Sequence, residues 1–150
     1  MDAEVYPDSR VAGFISENFI PVKAHIKEQP QVFERFKTQW TPTLLVLDSS
    51  GTERHRFEGF LPAEDFREQL ELALAKLAFS ENKFQEAEQR YRKFVEQHPA
   101  SEAAPEALYW AGVSQYKATN DAGALKETAQ QFKTKYKESS WAKKASVWAG

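Results

Sequence analysis

The chain of 150 residues contains no cysteine. It therefore cannot form a disulfide, bind zinc through thiolates or use a thiol nucleophile. Long apolar runs are also absent, because no segment reaches the roughly 18 uninterrupted apolar residues of a membrane span. Residues 1–4 are acidic and lack the basic and apolar regions of a signal peptide. These absences predict a protein with no membrane partner that is cytoplasmic, or periplasmic if it is the mature part of an exported protein.

An excess of charge of either sign is also missing. The net charge is −2, with 41% hydrophobic and 28% charged residues, which is typical of globular proteins and gives no reason to expect a nucleic-acid partner. His25, His55 and His98 are not spaced as metal ligands. No Gly-x-Ser-x-Gly motif or nucleotide-binding glycine loop supports a hydrolase. We therefore expect neither a metal nor a cofactor.

The first 40 residues alternate between helix and strand signals. Asp8 or Ser9 can cap a helix whose apolar residues follow the helical period, and Pro30 can open a second, short helix. Between them, residues 20–26 alternate apolar and polar side chains, which predicts a strand with one exposed face. The apolar helical positions are Val11, Phe14, Ile15 and Phe19 in the first helix and Val32, Phe33 and Phe36 in the second.

A strand signal follows Trp40-Thr41-Pro42-Thr43. The continuous apolar run from Leu44 to Leu47 is typical of a strand buried on both faces. Residues 48–51 form a turn signal, and residues 52–60 return as an alternating strand with Arg54 and Arg56 on one side and His55 and Phe57 on the other. A new helix is then expected from Pro62.

This order of elements resembles the second part of a thioredoxin-like domain, of the kind found in bacterial thioredoxin-related proteins, over about residues 1–75. The matching positions are Met1, Asp2, Tyr6-Pro7, Asn18-Phe19-Ile20-Pro21-Val22, Thr41-Pro42-Thr43 and Gly59-Phe60. The resemblance implies that Pro42 is cis. The alternative is a trans proline at the first residue of a strand, where proline is tolerated.

The resemblance also implies a redox motif and a central strand that would precede Met1. That strand would lie between the predicted strands at residues 22–26 and 44–47. Without it, the two strands would pair directly, leave an open slot or recruit a strand from another chain. We therefore expect a rearranged or swapped sheet, or association with another chain.

The second half of the chain is alanine-rich and contains an internal repeat. Residues 101–112 align with residues 139–150 at an offset of 38 (139 − 101), and Phe94 and Phe132 keep the same offset. A fixed period of this length predicts a helical-repeat array. The expected helices are 62–80, 84–97, 102–118, 121–136 and 140–150, with breaks at Asn82, His98-Pro99, Asn120-Asp121 and Glu138-Ser139.

The repeat resembles the tetratricopeptide repeat. The small and large residues that carry the resemblance are Leu74-Ala75, Phe84, Ala87, Tyr91 and Pro99, followed by Ala111-Gly112, Tyr116 and Ala124. The fold class is therefore α/β followed by all-α, with an incomplete thioredoxin-like sheet and then helical hairpins. The domains are residues 1–75 and 62–150, which share the helix 62–80 without a flexible linker.

Two features of the last repeat remain open. A lone repeat cannot bury its apolar face, so Trp141, Val147 and Trp148 must pack back as a cap, bind another chain or continue into further sequence. Residues 126–150 carry six basic and two acidic residues. This excess predicts either head-to-tail association or an acidic partner, or is simply a solvated helix surface.

The leading functional hypothesis is a non-catalytic interaction protein that binds a polypeptide partner. The candidate peptide-binding residues are Trp40, Thr41 and Pro42 in the first part and Tyr109, Trp110 and Tyr116 in the repeats, although the repeat aromatics also have the spacing of packing residues. The alternative is a fragment of a thiol-disulfide oxidoreductase whose redox motif lies upstream of Met1. A homo-oligomer formed through unpaired strands or the third repeat is a further expectation.

Overall fold

The computed structural model describes residues 3–150 and divides the chain into two compact units, Met1–Gln69 and Leu70–Gly150. Among the described residues, no helix is both long and apolar enough to cross a membrane. The predicted fold class, α/β followed by all-α, is confirmed. The elements are α1 Ser9–Asn18, α2 Pro30–Arg35, β1 Thr43–Leu47, β2 Glu53–Glu58, α3 Ala63–Ser80, α4 Phe84–Gln97, α5 Ala104–Thr119, α6 Gly123–Phe132, α7 Ser140–Ala145 and a 3-10 turn at Ser146–Trp148.

The first two helices begin where their capping residues predict. The Asp8 carboxylate accepts a hydrogen bond from the Arg10 N–H at 2.9 Å and satisfies one of the unpaired donors at the start of α1. Pro30 occupies the first turn of α2, where its missing N–H costs no hydrogen bond. Both predicted helices are confirmed.

The core of the first unit is built around Phe66. This side chain is fully buried, and its ring meets the edges of Tyr6 at 5.8 Å and Phe57 at 5.4 Å between centroids. Val5 and Val11 are buried as well. The core therefore joins the N-terminal turn, α1, β2 and the start of α3.

The predicted strand at residues 20–26 is wrong. These residues have no regular secondary structure before the turn that begins at Ile26, and Ile20 and Val22 are 92% and 86% exposed. An alternating pattern produces a strand only where a neighbour completes the hydrogen-bond ladder. Among the described residues, the sheet consists of β1 and β2 alone, so no neighbouring strand pairs with this segment.

β1 is a strand, but the prediction that it is buried on both faces is also wrong. Only Val46 is buried, Leu44 and Leu45 are half-buried, and Leu47 is 38% exposed. A two-stranded sheet covers less of each strand than a larger sheet. The turn after β1 contains Gly51 at φ 81°, a conformation that glycine adopts without strain.

The second unit contains two successive helical hairpins with an alanine-rich core. Residues of α3, α4 and α5 form one buried cluster in which small side chains allow the helices to approach and aromatic side chains fill the gaps. Its buried members are Leu72, Ala75, Ala78, Ala87, Tyr91, Phe94, Ala107 and Ala111. A second cluster joins α5, α6 and α7 through Leu108, Phe132 and Ala145.

α5 and α6 approach closely at Gly112. A Cβ atom placed on Gly112 would lie 2.1 Å from the Thr128 Oγ1 and 2.8 Å from its Cβ. Thr128 is buried, and its hydroxyl donates a hydrogen bond to the Ala124 carbonyl at 2.8 Å. This crossing therefore requires glycine because no side chain fits.

The structure corrects the ends of three predicted repeat helices. The helix predicted at 84–97 is confirmed, whereas α5 begins at Ala104 rather than 102 and continues to Thr119. The predicted helix 121–136 begins two residues too early and ends four residues too late, because α6 spans Gly123–Phe132 and Tyr136 adopts φ 55°. The predicted helix 140–150 ends as α7 at Ala145 and continues as a 3-10 turn.

Two of the three aromatic or aliphatic residues near the end of the chain pack back onto the repeats. Trp148 stacks on Tyr109 with ring centroids 4.5 Å apart, and Trp141 lies 5.1 Å from the same ring. Val147 does not join them and is 78% exposed. The two tryptophans therefore cap the apolar face of the last hairpin.

Candidate functional site

The first candidate site lies along β1, which pairs with a strand on one side only within the described residues. β1 pairs antiparallel with β2 in the register Leu44 opposite Phe57 and Val46 opposite His55. The hydrogen bonds from the Gly59 N–H to the Pro42 carbonyl at 2.8 Å and from the Asp48 N–H to the Thr52 carbonyl at 2.9 Å fix the phase of this ladder.

The phase identifies the backbone groups that point away from β2. Hydrogen-bonded and non-hydrogen-bonded positions alternate along an antiparallel pair, so residues 42, 44, 46 and 48 face β2. The N–H and C=O groups of Thr43, Leu45 and Leu47 therefore face the other side. We call these three residues the open edge, because no second strand pairs with β1 among residues 3–150.

Trp40 stands at the start of the open edge. Its side chain is 65% exposed, and its carbonyl accepts a hydrogen bond from the Thr43 hydroxyl at 2.6 Å. The Thr41–Pro42 peptide bond is cis, the isomer that the resemblance implies. Thr41 is exposed and Pro42 is half-buried. The structure thus brings Trp40, Thr41 and Pro42 together at one end of β1.

Charged side chains hold the β1–β2 hairpin in place. Arg56 donates a hydrogen bond to the carbonyl of Phe36, the residue after α2, and so connects β2 to the end of that helix. Arg56 also pairs with Glu53 of the same strand at 2.8 Å. At the turn, the Asp48 carboxylate accepts hydrogen bonds from the Ser50 hydroxyl and the Thr52 N–H. These hydrogen bonds, of which the one from the Ser50 hydroxyl has the largest effect, hold the pKa of Asp48 well below its usual range.

The predicted repeat aromatics have different surroundings. Tyr109 and Trp110 are half-buried, and both rings are used in packing: Tyr109 stacks on Trp148, and Trp110 meets the edge of Phe79 at 5.2 Å. Tyr116 is also half-buried, on the same helix. Tyr109, Trp110 and Tyr116 thus all belong to α5, in the second unit.

Sequence patterns did not identify Leu45 and Leu47 as part of a site. The direction of their backbone groups depends on the register between β1 and β2. The sequence predicted the two strands but not their register.

Met1 and Asp2, two positions that carried the thioredoxin resemblance, lie outside the described residues. In the described part of the chain, no group of three or more His, Asp or Glu side chains is arranged to hold a metal ion.

Two models of known families match the chain. A family model described as a thioredoxin-like domain matches residues 1–74, and a model described as a tetratricopeptide repeat matches residues 69–101 and 106–139. The first repeat match covers most of α3 and all of α4, and the second covers most of α5 and all of α6. No curated protein and no solved structure matches the chain significantly.

Proposed function

We propose, from a chain that joins a thioredoxin-like domain to tetratricopeptide repeats, that this protein is a non-catalytic interaction module that binds a polypeptide partner. Tetratricopeptide repeats generally mediate protein–protein interaction. The chain has no cysteine, so the thioredoxin-like part contributes a surface rather than a thiol. We place this function in the cytoplasm, with the periplasm as the alternative.

The observation that carries the proposal is the open edge beside an exposed tryptophan. Unpaired N–H and C=O groups on a strand are a template for an extended segment, which gains main-chain hydrogen bonds by adding as a further strand. Trp40 supplies a large side chain of a kind that often dominates binding energy. In this proposal Trp40, Thr41 and Pro42 contact the start of the bound segment.

The repeats provide the second contact region of the proposal. Tyr116, Tyr109 and Trp110 lie on α5, and the exposed parts of their half-buried rings are available to a ligand. Because the Tyr109 and Trp110 rings also pack against Trp148 and Phe79, replacing either would disturb the fold. Tyr116 is therefore the best repeat position for testing partner contact.

Hydrogen exchange tests the proposal at the open edge. Peptides would be selected from a random library on the full chain, and backbone exchange would be measured with and without the selected peptide. We expect slower exchange at the Leu45 and Leu47 amides and little change at Leu44 and Val46, which already face β2. Selection of no peptide, or protection that leaves Leu45 and Leu47 unchanged, would contradict strand addition.

A pair of variants tests the role of Trp40. We expect Trp40→Ala to weaken binding of the selected peptide about tenfold or more, as at tryptophan hot spots. Val147→Ala is the matched control, because Val147 is also an exposed apolar residue, at 78%, but lies at the other end of the chain. Equal affinity of both variants would remove Trp40 from the site.

A second copy of the chain could also occupy the open edge. We propose this homo-oligomer as the form that the chain takes in the absence of a partner, since unpaired strand edges readily pair with each other. Light scattering would reveal it as a dimer that the selected peptide dissociates. A monomer at all concentrations would remove the homo-oligomer and leave the peptide-binding proposal intact.

A further inference from the structure

The last part of the second unit carries several exposed lysines that are close together in sequence. Five lysines fall within the twelve residues 133–144, and all five are exposed. The only acidic residue in the same stretch is Glu138. We call this set the basic surface: Lys133, Lys135, Lys137, Lys143 and Lys144.

The basic surface differs from the rest of the second half in having no ion pairs with the residues that the structure describes. Within the described residues, none of its lysines lies within 4.0 Å of a carboxylate, whereas at least four of the seven basic residues in residues 62–125 do. Those four pairs are Lys76–Glu106, Lys83–Glu81, Arg90–Glu86 and Arg92–Glu88. The lysines of the basic surface therefore have no close carboxylate partner among residues 3–150.

The backbone that carries these lysines is held in a defined conformation. The Tyr136 hydroxyl donates a hydrogen bond to the Pro99 carbonyl at 2.7 Å, which attaches the loop between α6 and α7 to the preceding repeat. Ser139 caps α7, and Trp141 packs on Tyr109. The Lys144 ammonium lies 3.9 Å from the centroid of the Trp141 ring. A ligand would meet lysines whose backbone is already ordered, which lowers the entropic cost of binding.

We propose that the basic surface binds a carboxylate-rich segment of the partner polypeptide. This inference rests on the proposed function, because it names the chemistry of the polypeptide that the protein binds. The ligand must be anionic, since unpaired lysines attract negative charge and repel cations. The chain as a whole carries a net charge of −2, which opposes long polyanions such as DNA more than a short acidic segment.

A second copy of this chain is a poorer ligand than a separate acidic segment. Residues 62–125 contain eleven carboxylates, but at least five of them already pair with an arginine or lysine of their own chain. Pairing them with the basic surface of another copy would exchange one weak exposed ion pair for another. A foreign carboxylate-rich segment gains its ion pairs without breaking any.

Fluorescence anisotropy with a labelled oligoglutamate peptide of about ten residues tests the proposal. We expect binding that weakens steeply as salt rises to about 150 mM, because exposed charges are screened. Lys133→Glu, Lys135→Glu and Lys137→Glu combined should weaken binding about tenfold or more, since several weak pairs are lost together. If circular dichroism shows that this variant is unfolded, the triple glutamine variant at the same three positions is tested instead. We expect it to bind oligoglutamate more weakly than the original chain, with a smaller loss of affinity than the triple glutamate variant would show.

The matched control is the triple variant Lys27→Glu, Lys93→Glu and Lys117→Glu. These lysines are exposed but lie outside the basic surface, and both triple variants change the net charge equally. We expect the control to bind within about twofold of the original chain. Equal loss in both variants, no binding of oligoglutamate at low salt, or tighter binding of a duplex DNA probe than of oligoglutamate at about 150 mM salt would overturn the proposal. None of these outcomes affects the open-edge experiment, which uses other residues and another probe.

Discussion

Gly112→Ala would test whether the close approach of α5 and α6 holds the second unit together. The new Cβ would lie 2.1 Å from the Thr128 Oγ1, at least 1.3 Å (3.4 − 2.1) closer than an ordinary contact. Rotating the Thr128 side chain does not remove the overlap, because its Cβ is only 2.8 Å away. The two helices must therefore move apart.

Two opposing contributions set the change in the free energy of unfolding that Gly112→Ala causes. Alanine favours a helix over glycine by about 1 kcal/mol, while overpacking a buried contact costs typically about 1 to 3 kcal/mol and occasionally more. The overlap at Gly112 involves the buried side chain of Thr128, so we take the upper end of this range, about 3 kcal/mol, as the cost of overpacking. We expect Gly112→Ala to lower the free energy of unfolding by about 2 kcal/mol.

Urea unfolding followed by circular dichroism measures this change. The control is Gly13→Ala in α1, since a Cβ at Gly13 would meet no atom within 4 Å and should raise stability by up to about 1 kcal/mol. Thr128→Ala removes two of the three clashing atoms and should partly rescue Gly112→Ala in the double variant. If Gly112→Ala is as stable as the original chain, the helices are not held at the distance described.

The remaining predictions concern the hairpin, the loop after α6 and redox activity. We expect Asp48→Asn to remove part of the loss of folding stability at acid pH. Because the pKa of Asp48 is lowered in the folded chain, the stabilisation from its hydrogen bonds is complete above its ordinary pKa of about 4 and is lost as pH falls through the lower folded pKa. Asparagine does not titrate, so only the original chain should lose this part of its stability. A variant that loses as much stability on acid titration as the original chain would contradict this. Tyr136→Phe should lower the free energy of unfolding by about 0.5 to 1.5 kcal/mol through loss of the bond to the Pro99 carbonyl, and an unchanged urea midpoint would show that water replaces this bond at no cost. The chain should not reduce insulin disulfides, since it has no thiol, and measurable turnover would refute the proposed non-catalytic role.

The helices could be predicted because their signals are local. Asp8 caps α1 through its own side chain, Pro30 starts α2, and the helix at 84–97 lies between two breaks. The repeat offset also predicted packing, since Phe94 and Phe132 are both buried in hydrophobic clusters. In each case, residues close in sequence or related by the repeat determine the outcome.

The elements that sequence patterns failed to predict depend on distant partners. Residues 20–26 have strand-like alternation, but alternation alone cannot supply a neighbouring strand. α6 ends early because the Thr134 hydroxyl donates a hydrogen bond to the Gln131 carbonyl and Tyr136 turns towards Pro99. The stacking of Trp148 on Tyr109 likewise could not be read from helical spacing, because it joins residues of successive repeats.

The bonds that join successive repeats also bear on how stiff the second unit is. The Tyr136 hydrogen bond to Pro99 and the stacking of Trp148 on Tyr109 connect positions 37 (136 − 99) and 39 (148 − 109) residues apart, close to one repeat length. One is a directional polar contact, and the other is a broad apolar contact. Any bending that separates the two repeats must break both contacts. Together they therefore restrict how far one repeat can rotate relative to the next.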